Sequence, residues 1–202
     1  MRRIFILGLL ASSTLLDAGD RIRIGIRLQI PPGMPPSLVN AMIRETERHW
    51  KFPALELHWH HADRSCKTPD NRLLIVHMVG ECTLFRPEPA MVERPLGHTH
   101  VSDNKVLPFI DVNCQAVAAS VARRQQLGVF LNEDSYARAL AAVLTHEMVH
   151  ALTESRGHDT AGVMRPKLSP QELTQKDAEL TRDVIENLEE ALHVNLSEER
   201  HQ

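Results

Sequence analysis

The chain alternates from its first ordered-looking stretch. From Arg21 to Ile30 every even position is apolar and every odd one is polar or glycine, the period of a half-buried strand, and Pro31-Pro32-Gly33 stops it. Pro36-Ser37 then opens a segment with Val39, Met42, Ile43, Thr46 and Trp50 at helical spacing, which predicts a helix to about Trp50, broken by Pro53. Leu55, Leu57 and Trp59 alternate with Glu56, His58 and His60 as a second strand. After a polar loop over 62–71, the nearly unbroken apolar run 73–79 reads as a central strand. The proline-rich stretch 80–97 predicts a long loop. Residues 98–101 and 105–112 predict two strands joined by a turn at Asp103-Asn104. The Ala-rich stretch 116–126 predicts a helix ended by Gly128.

Asn132 is a good N-cap, and Glu133 and Asp134 suit the first turn of a helix. That helix is expected to run to about Arg156, with Gly157 as its C-terminal stop. Ser169-Pro170-Gln171-Glu172 starts a last amphipathic helix over about 170–193, with Leu173, Leu180, Val184, Ile185, Leu188 and Leu192 on its core face. Strand, helix, strands, then helices is the order of an α+β fold.

A length of 202 residues fits one domain with a core of its own. The net charge of −3 and the scarcity of aromatics exclude a nucleic-acid footprint. The first residues have the form of a secretory signal: Met1-Arg2-Arg3, a short apolar run to Leu16, then Asp17-Ala18-Gly19-Asp20. That run is shorter than the roughly 20 residues a membrane helix needs, and nothing later is long and apolar enough to span. The expectation is a signal peptide over 1–18 and a single domain over 19–202, secreted or periplasmic, with no pro-segment before the first strand. Export permits a disulfide. Of Cys66, Cys82 and Cys114, the first two are the expected pair, because they sit in loops flanking one strand.

Histidine changes the picture. Twelve His outnumber Trp (2), Tyr (1) and Phe (5) together, and His is the commonest metal ligand. The 132–156 helix contains His146-Glu147-Met148-Val149-His150. Residues four apart share one helix face, so both imidazoles can reach one ion, and Glu147 is placed to take a proton from a water beside it. Catalytic zinc takes three protein ligands and keeps one position open. His158, just past Gly157, is the candidate third ligand if the chain turns back there.

The block from His146 to His150, Gly157-His158 and Gly162-Val163-Met164 resembles the metzincin metallopeptidases. It is most similar to a small set of exported bacterial metzincin-like proteins with HExxH, a third His eight residues on, and a Gly-Ile/Val-Met turn. The resemblance is specific over 146–164 and fainter over 20–170. It implies a zincin/metzincin-like α+β fold: a twisted mixed sheet, an active-site helix carrying HExxH, and a C-terminal helix. It implies zinc on His146, His150 and His158, Glu147 as general base, Met164 as the hydrophobic base of a Met-turn, and a peptide or protein substrate. The pattern departs from standard metzincins, which have Gly and His where this chain has Thr153 and Arg156. The related bacterial set commonly has Gly at the position of Glu154, so Gly157 is expected to make the reversal instead. No Tyr follows Met164; Arg165-Pro166 do.

Other readings stay open on sequence. A gluzincin-type hydrolase would take Glu172, or less favourably Glu179, as third ligand. Glu154, one turn after His150, is a candidate to orient a ligand, against the plainer role of a solvated helix-end acid. The pairs His58/His60 and His98/His100 have strand spacing that suits a second metal, against the plainer role of exposed strand faces. His98 and His100 also fall where an edge strand would meet substrate. A zinc-binding domain without turnover, and a zinc hydrolase acting on a non-protein substrate, are the remaining alternatives.

Overall fold

A computed structural model of the chain describes residues 21–61, 70–83, 94–122, 132–176 and 178–193. The expected signal peptide, Cys66, most of the 62–71 loop, the middle of the 80–97 loop, and the end of the second helix with Gly128 lie outside the described residues. Strands β1 (Ile22–Gln29), β2 (Leu55–His61), β3 (Arg72–Val79), β4 (Gly97–Ser102) and β5 (Lys105–Asn113) form one sheet in the order β2-β1-β3-β5-β4. The first four in that order are parallel, and β4 runs antiparallel to β5 at the edge. The helices are α1 (Pro36–His49), α2 (Cys114–Ala122), α3 (Glu133–Thr153), α4 (Pro170–Leu173) and α5 (Arg182–Leu192). None of the described helices is long and apolar enough to cross a membrane.

The alternation of β1 sorts its faces as the sequence predicts. Ile24, Ile26 and Leu28 are buried with Leu74, Val76 and Met78 of β3 and Ile110 and Val112 of β5. The run over 73–79 lies at the centre of the strand order, yet it alternates too, with Leu73 exposed and Leu74 buried. Period 2 puts His58, His60 and His77 on the opposite, polar face, beside Arg23 and Arg27.

Helix α3 is the hub, touching α1, α2, α4, α5, β4 and β5. Nearly every residue from Tyr136 to Leu152 is buried, as expected of a helix enclosed on all sides. Its N-terminus is capped as predicted, with Asn132 Oδ1 accepting from the Ser135 N–H at 2.8 Å.

Three expectations are corrected. The disulfide joins Cys82 to Cys114, not Cys66 to Cys82. Val79 and Asn113 are register partners at the ends of the adjacent parallel strands β3 and β5, so a cysteine shortly after each end meets the other. The α3 helix ends at Thr153 rather than near Arg156, with Glu154 in the left-handed region at φ 50°. The expected single helix over 170–193 is two. A capping box of Ser169 and Glu172 holds one turn, residues 178–180 are not helical, and Thr181 caps α5 by accepting from the Val184 N–H. The break is used: the Glu179 carbonyl accepts from the Val163 N–H at 3.3 Å, which a helical Glu179 would spend within its own helix.

One buried group couples the core to pH. His49 at the end of α1 shares a 2.9 Å hydrogen bond with Thr145 of α3, and burial, then the nearby Arg48 charge, pushes its pKa down from 6.5 to about 4. Between those values the unfolded chain binds the proton and the folded chain does not, so stability falls as pH drops from about 6.5 to about 4, by about 3 kcal/mol in all. His49→Gln keeps a polar neighbour for Thr145 without titrating. Urea midpoints across pH 7 to 4.5 are expected to fall less steeply for the variant than for the parent, and parallel curves would refute the assignment.

Candidate metal centre

The helix spacing does what it predicts. His146 and His150 lie one turn apart, and their Nε2 atoms are 3.1 Å from each other. Each Nδ1 is engaged: that of His146 donates to the Val163 carbonyl at 2.7 Å, and that of His150 to the Ser155 carbonyl at 2.8 Å. With Nδ1 carrying the proton, each Nε2 of a neutral ring presents a lone pair. Two lone pairs so close repel unless a cation lies between them. Burial holds both imidazoles below the usual histidine range, with the charge of His158 acting in the same direction on both and that of His146 acting so on His150, so the neutral form prevails at neutral pH.

The third ring arrives by a chain reversal. Glu154 takes the left-handed turn, its N–H bonding the His150 carbonyl, and Ser155 N–H reaches the same oxygen at 3.2 Å. Five residues after α3 ends, His158 stands with its ring centroid 5.2 Å from that of His146 and 4.9 Å from that of His150. One nitrogen of each ring falls within a set no wider than 4.8 Å, the only three-donor metal group among the described residues. Gly157 does not make the reversal, because its φ is not positive.

The segment after His158 comes back to His146. Asp159 N–H donates to the Met164 carbonyl at 2.9 Å, and the Thr181 hydroxyl donates to the Asp159 carboxylate, which ties this loop to α5. Residues Gly162–Met164 form a single 3-10 turn with Val163 and Met164 buried. Gly162 has φ 65°, and a Cβ there would lie 2.6 Å from the Glu179 carbonyl oxygen, so the position excludes side chains twice over. The turn puts the Val163 carbonyl under His146.

Glu147 faces the other way, toward the edge strand. It is 8% exposed, and the Thr99 hydroxyl of β4 lies 2.7 Å from its Oε2 and 3.0 Å from its backbone carbonyl. A Cβ on Gly97 would come within 2.7 Å of Val143 and 2.8 Å of Glu147; without it, β4 packs directly onto α3. Thr99 escaped the sequence reading, though the signal was there: between His98 and His100 on a strand, its side chain takes the opposite face, which is the helix face.

The remaining candidates do not join the three His. The Glu172 carboxylate accepts from the Ser169 N–H at 2.7 Å and pairs with Arg165, and these contacts, Ser169 first, hold its carboxyl below the usual range. Glu179 contributes its backbone carbonyl. Glu154 is an exposed turn residue, and His150 is oriented by the Ser155 carbonyl instead. His58 and His60 bracket Asp70, with His60 Nε2 2.9 Å from Oδ2 and His58 Nδ1 3.4 Å from Oδ1. His100 lies 3.0 Å from Asp111, and His98 borders the cleft beside the three His. That cleft, about 1170 Å³, runs along β4 past His146, Glu147, His150 and His158.

No protein-family profile and no curated protein sequence matches the chain. Among solved structures it is similar to archaemetzincin from Methanopyrus kandleri, at 16% identity and a TM-score of 0.52 over 89% of this chain and 99% of that one. The likeness shows that the two share a fold: the chain has the zincin/metzincin-like α+β architecture expected from its motif.

The reversal gives a stability test. A non-glycine residue in the left-handed region costs about 1 kcal/mol, so Glu154→Gly is expected to raise the thermal midpoint by about 2–4 °C. Gly157→Ala is expected to change it little, since its Cβ would meet only Ser155 Oγ at 3.2 Å. A larger loss from Gly157→Ala than gain from Glu154→Gly would place the reversal at 157.

Proposed function

We propose that this chain is a zinc-dependent endopeptidase of the metzincin type. The observation that carries the reading is the pair of Nε2 lone pairs 3.1 Å apart, each fixed by a carbonyl at Nδ1. The shared fold supports it. His146, His150 and His158 would hold the metal. Three imidazoles are a fitting donor set for zinc, with one position left open, and a carbonyl partner on Nδ1 sets the tautomer and orientation of His146 and His150.

Zinc, when bound, supplies a Lewis acid that polarises a carbonyl and makes a water acidic near neutral pH. The chain's residues do the rest. An extended peptide lies along the outer edge of β4 near 97–101, using backbone groups that pair with nothing else among the described residues. Glu147 accepts a proton from the attacking water and returns it to the leaving amine. The Thr99 hydroxyl holds that carboxylate in place, and Met164 forms the apolar floor. In the same reading the chain is exported after removal of residues 1–18, and residues 19–202 form one catalytic domain. The Cys82–Cys114 bond supports an oxidising destination.

Elemental analysis of metal-replete protein is expected to find one zinc per chain, held far more weakly in His158→Ala. Glu147→Gln is expected to keep the zinc and lose about 10²–10⁴ of the peptidase rate. Zinc-free parent protein would refute the metal site. Equal turnover by parent and Glu147→Gln would refute catalysis and leave a zinc-binding domain.

A further inference from the structure

We propose that the cleft selects peptides bearing acidic side chains. The inference rests on the peptidase reading of the same site and names its substrate class. Among the described residues, the charged ones lining the cleft are Arg94, Arg156, Arg165 and Lys167, against one acid, Glu147. The chain as a whole carries −3, so the sign is inverted locally.

The cations are placed by separate parts of the chain. Arg94 precedes β4, Arg156 lies in the reversal before His158, and Arg165 and Lys167 follow the 3-10 turn. They therefore border the cleft that holds the three His from separate segments of the chain. Arg165 is paired with Glu172 outside the cleft. Arg94, Arg156 and Lys167 are exposed, and among the described residues none forms an ion pair that would compensate its charge at the cleft. Glu147 is buried beneath the Thr99 hydroxyl and offsets little of it at the rim. Asp159, Asp183 and Glu190 line an adjoining cavity of about 570 Å³ that shares Ser155 and His158 with the cleft, on the side of α5.

A concave site walled by protein focuses such a field, and a divalent cation held by three neutral imidazoles adds to its sign. A peptide with Asp or Glu beside the scissile bond is attracted over the whole rim, and one with Lys or Arg is repelled. Because the rim cations are exposed, the attraction is screened by salt.

The test uses quenched fluorescent peptides of one core sequence with Glu, Gln or Lys in the flanking positions, on the zinc-loaded full chain. At low salt the Glu peptide is expected to show about tenfold higher kcat/KM than the Gln peptide, with the Lys peptide lower still. The ratio shrinks toward one at 1 M salt, where the screening length is about 3 Å. Arg156→Glu/Lys167→Glu is expected to abolish or invert the ratio, with zinc content and thermal midpoint as controls for folding. Equal kcat/KM for the three peptides, or an unaltered ratio in the double variant, overturns the proposal. A second arm measures binding of the labelled peptides to zinc-loaded Glu147→Gln by anisotropy, without turnover. If the parent cleaves nothing, the peptidase reading fails; tighter binding of the Glu peptide then still upholds acidic selection, and equal binding overturns it.

Discussion

Two imidazole nitrogens held 3.1 Å apart set the terms for the rest of this structure. Helical periodicity brings His146 and His150 together, but it does not aim them. The aim comes from two backbone carbonyls, those of Val163 and Ser155. Ser155 serves only if α3 stops at Thr153, and Val163 serves only if the chain comes back beneath the helix. The left-handed Glu154, the glycine at 162 and the non-helical Glu179 that receives the Val163 N–H all fit that requirement. The stretch from 154 to 181 is thus organised to present two carbonyl oxygens.

The second constraint acts from the opposite side of α3. The edge strand is drawn in until Gly97 touches Val143 and Glu147, and Thr99 then reaches the Glu147 carboxylate. In the proposed reading this contact fixes both the strand that a substrate extends and the group that moves its proton, so one displacement would disturb both. The sheet is anchored behind it. Cys82 and Cys114 tie the ends of β3 and β5, and the buried Tyr136 hydroxyl donates to the Cys114 carbonyl at 2.9 Å, which fastens the first turns of α3 to the same corner.

Much of this was legible in the sequence, and the failures share a cause. Strand alternation located β1 and β2, the Asp103-Asn104 turn located the hairpin, and Asn132 located the start of α3, because each signal is local and strong. The HExxH spacing and the later His158 gave the three rings that the fold brings together. Missed were features that depend on partners far away in the chain. Nothing near Glu154 marks it as left-handed; glycine rules favour Gly157, and the demand for the Ser155 carbonyl at His150 overrides them. The helix expected over 170–193 has a sound apolar period, yet it breaks because Val163 needs the Glu179 oxygen. The cysteine pairing could not be read from loops flanking a strand, since it depends on β3 and β5 being neighbours.

The three candidate ligands also differ in what supports them. His146 and His150 belong to a helix enclosed by the core, so displacing them means disrupting α3 itself. His158 is exposed and stands on an irregular segment tied by the Gly157 N–H to Ser155 Oγ at 3.1 Å, the Asp159 N–H to the Met164 carbonyl and the Thr181 hydroxyl to the Asp159 carboxylate. Segments with few buried contacts open at low free energy, well below the cost of global unfolding. In the proposed reading, two donors are therefore preorganised and the third is delivered by the most easily opened part of the site. Metal binding then pays the ordering of 154–164 as well as the coordination itself. Acquisition and release would be governed by that segment, while the geometry at His146 and His150 stays that of the core.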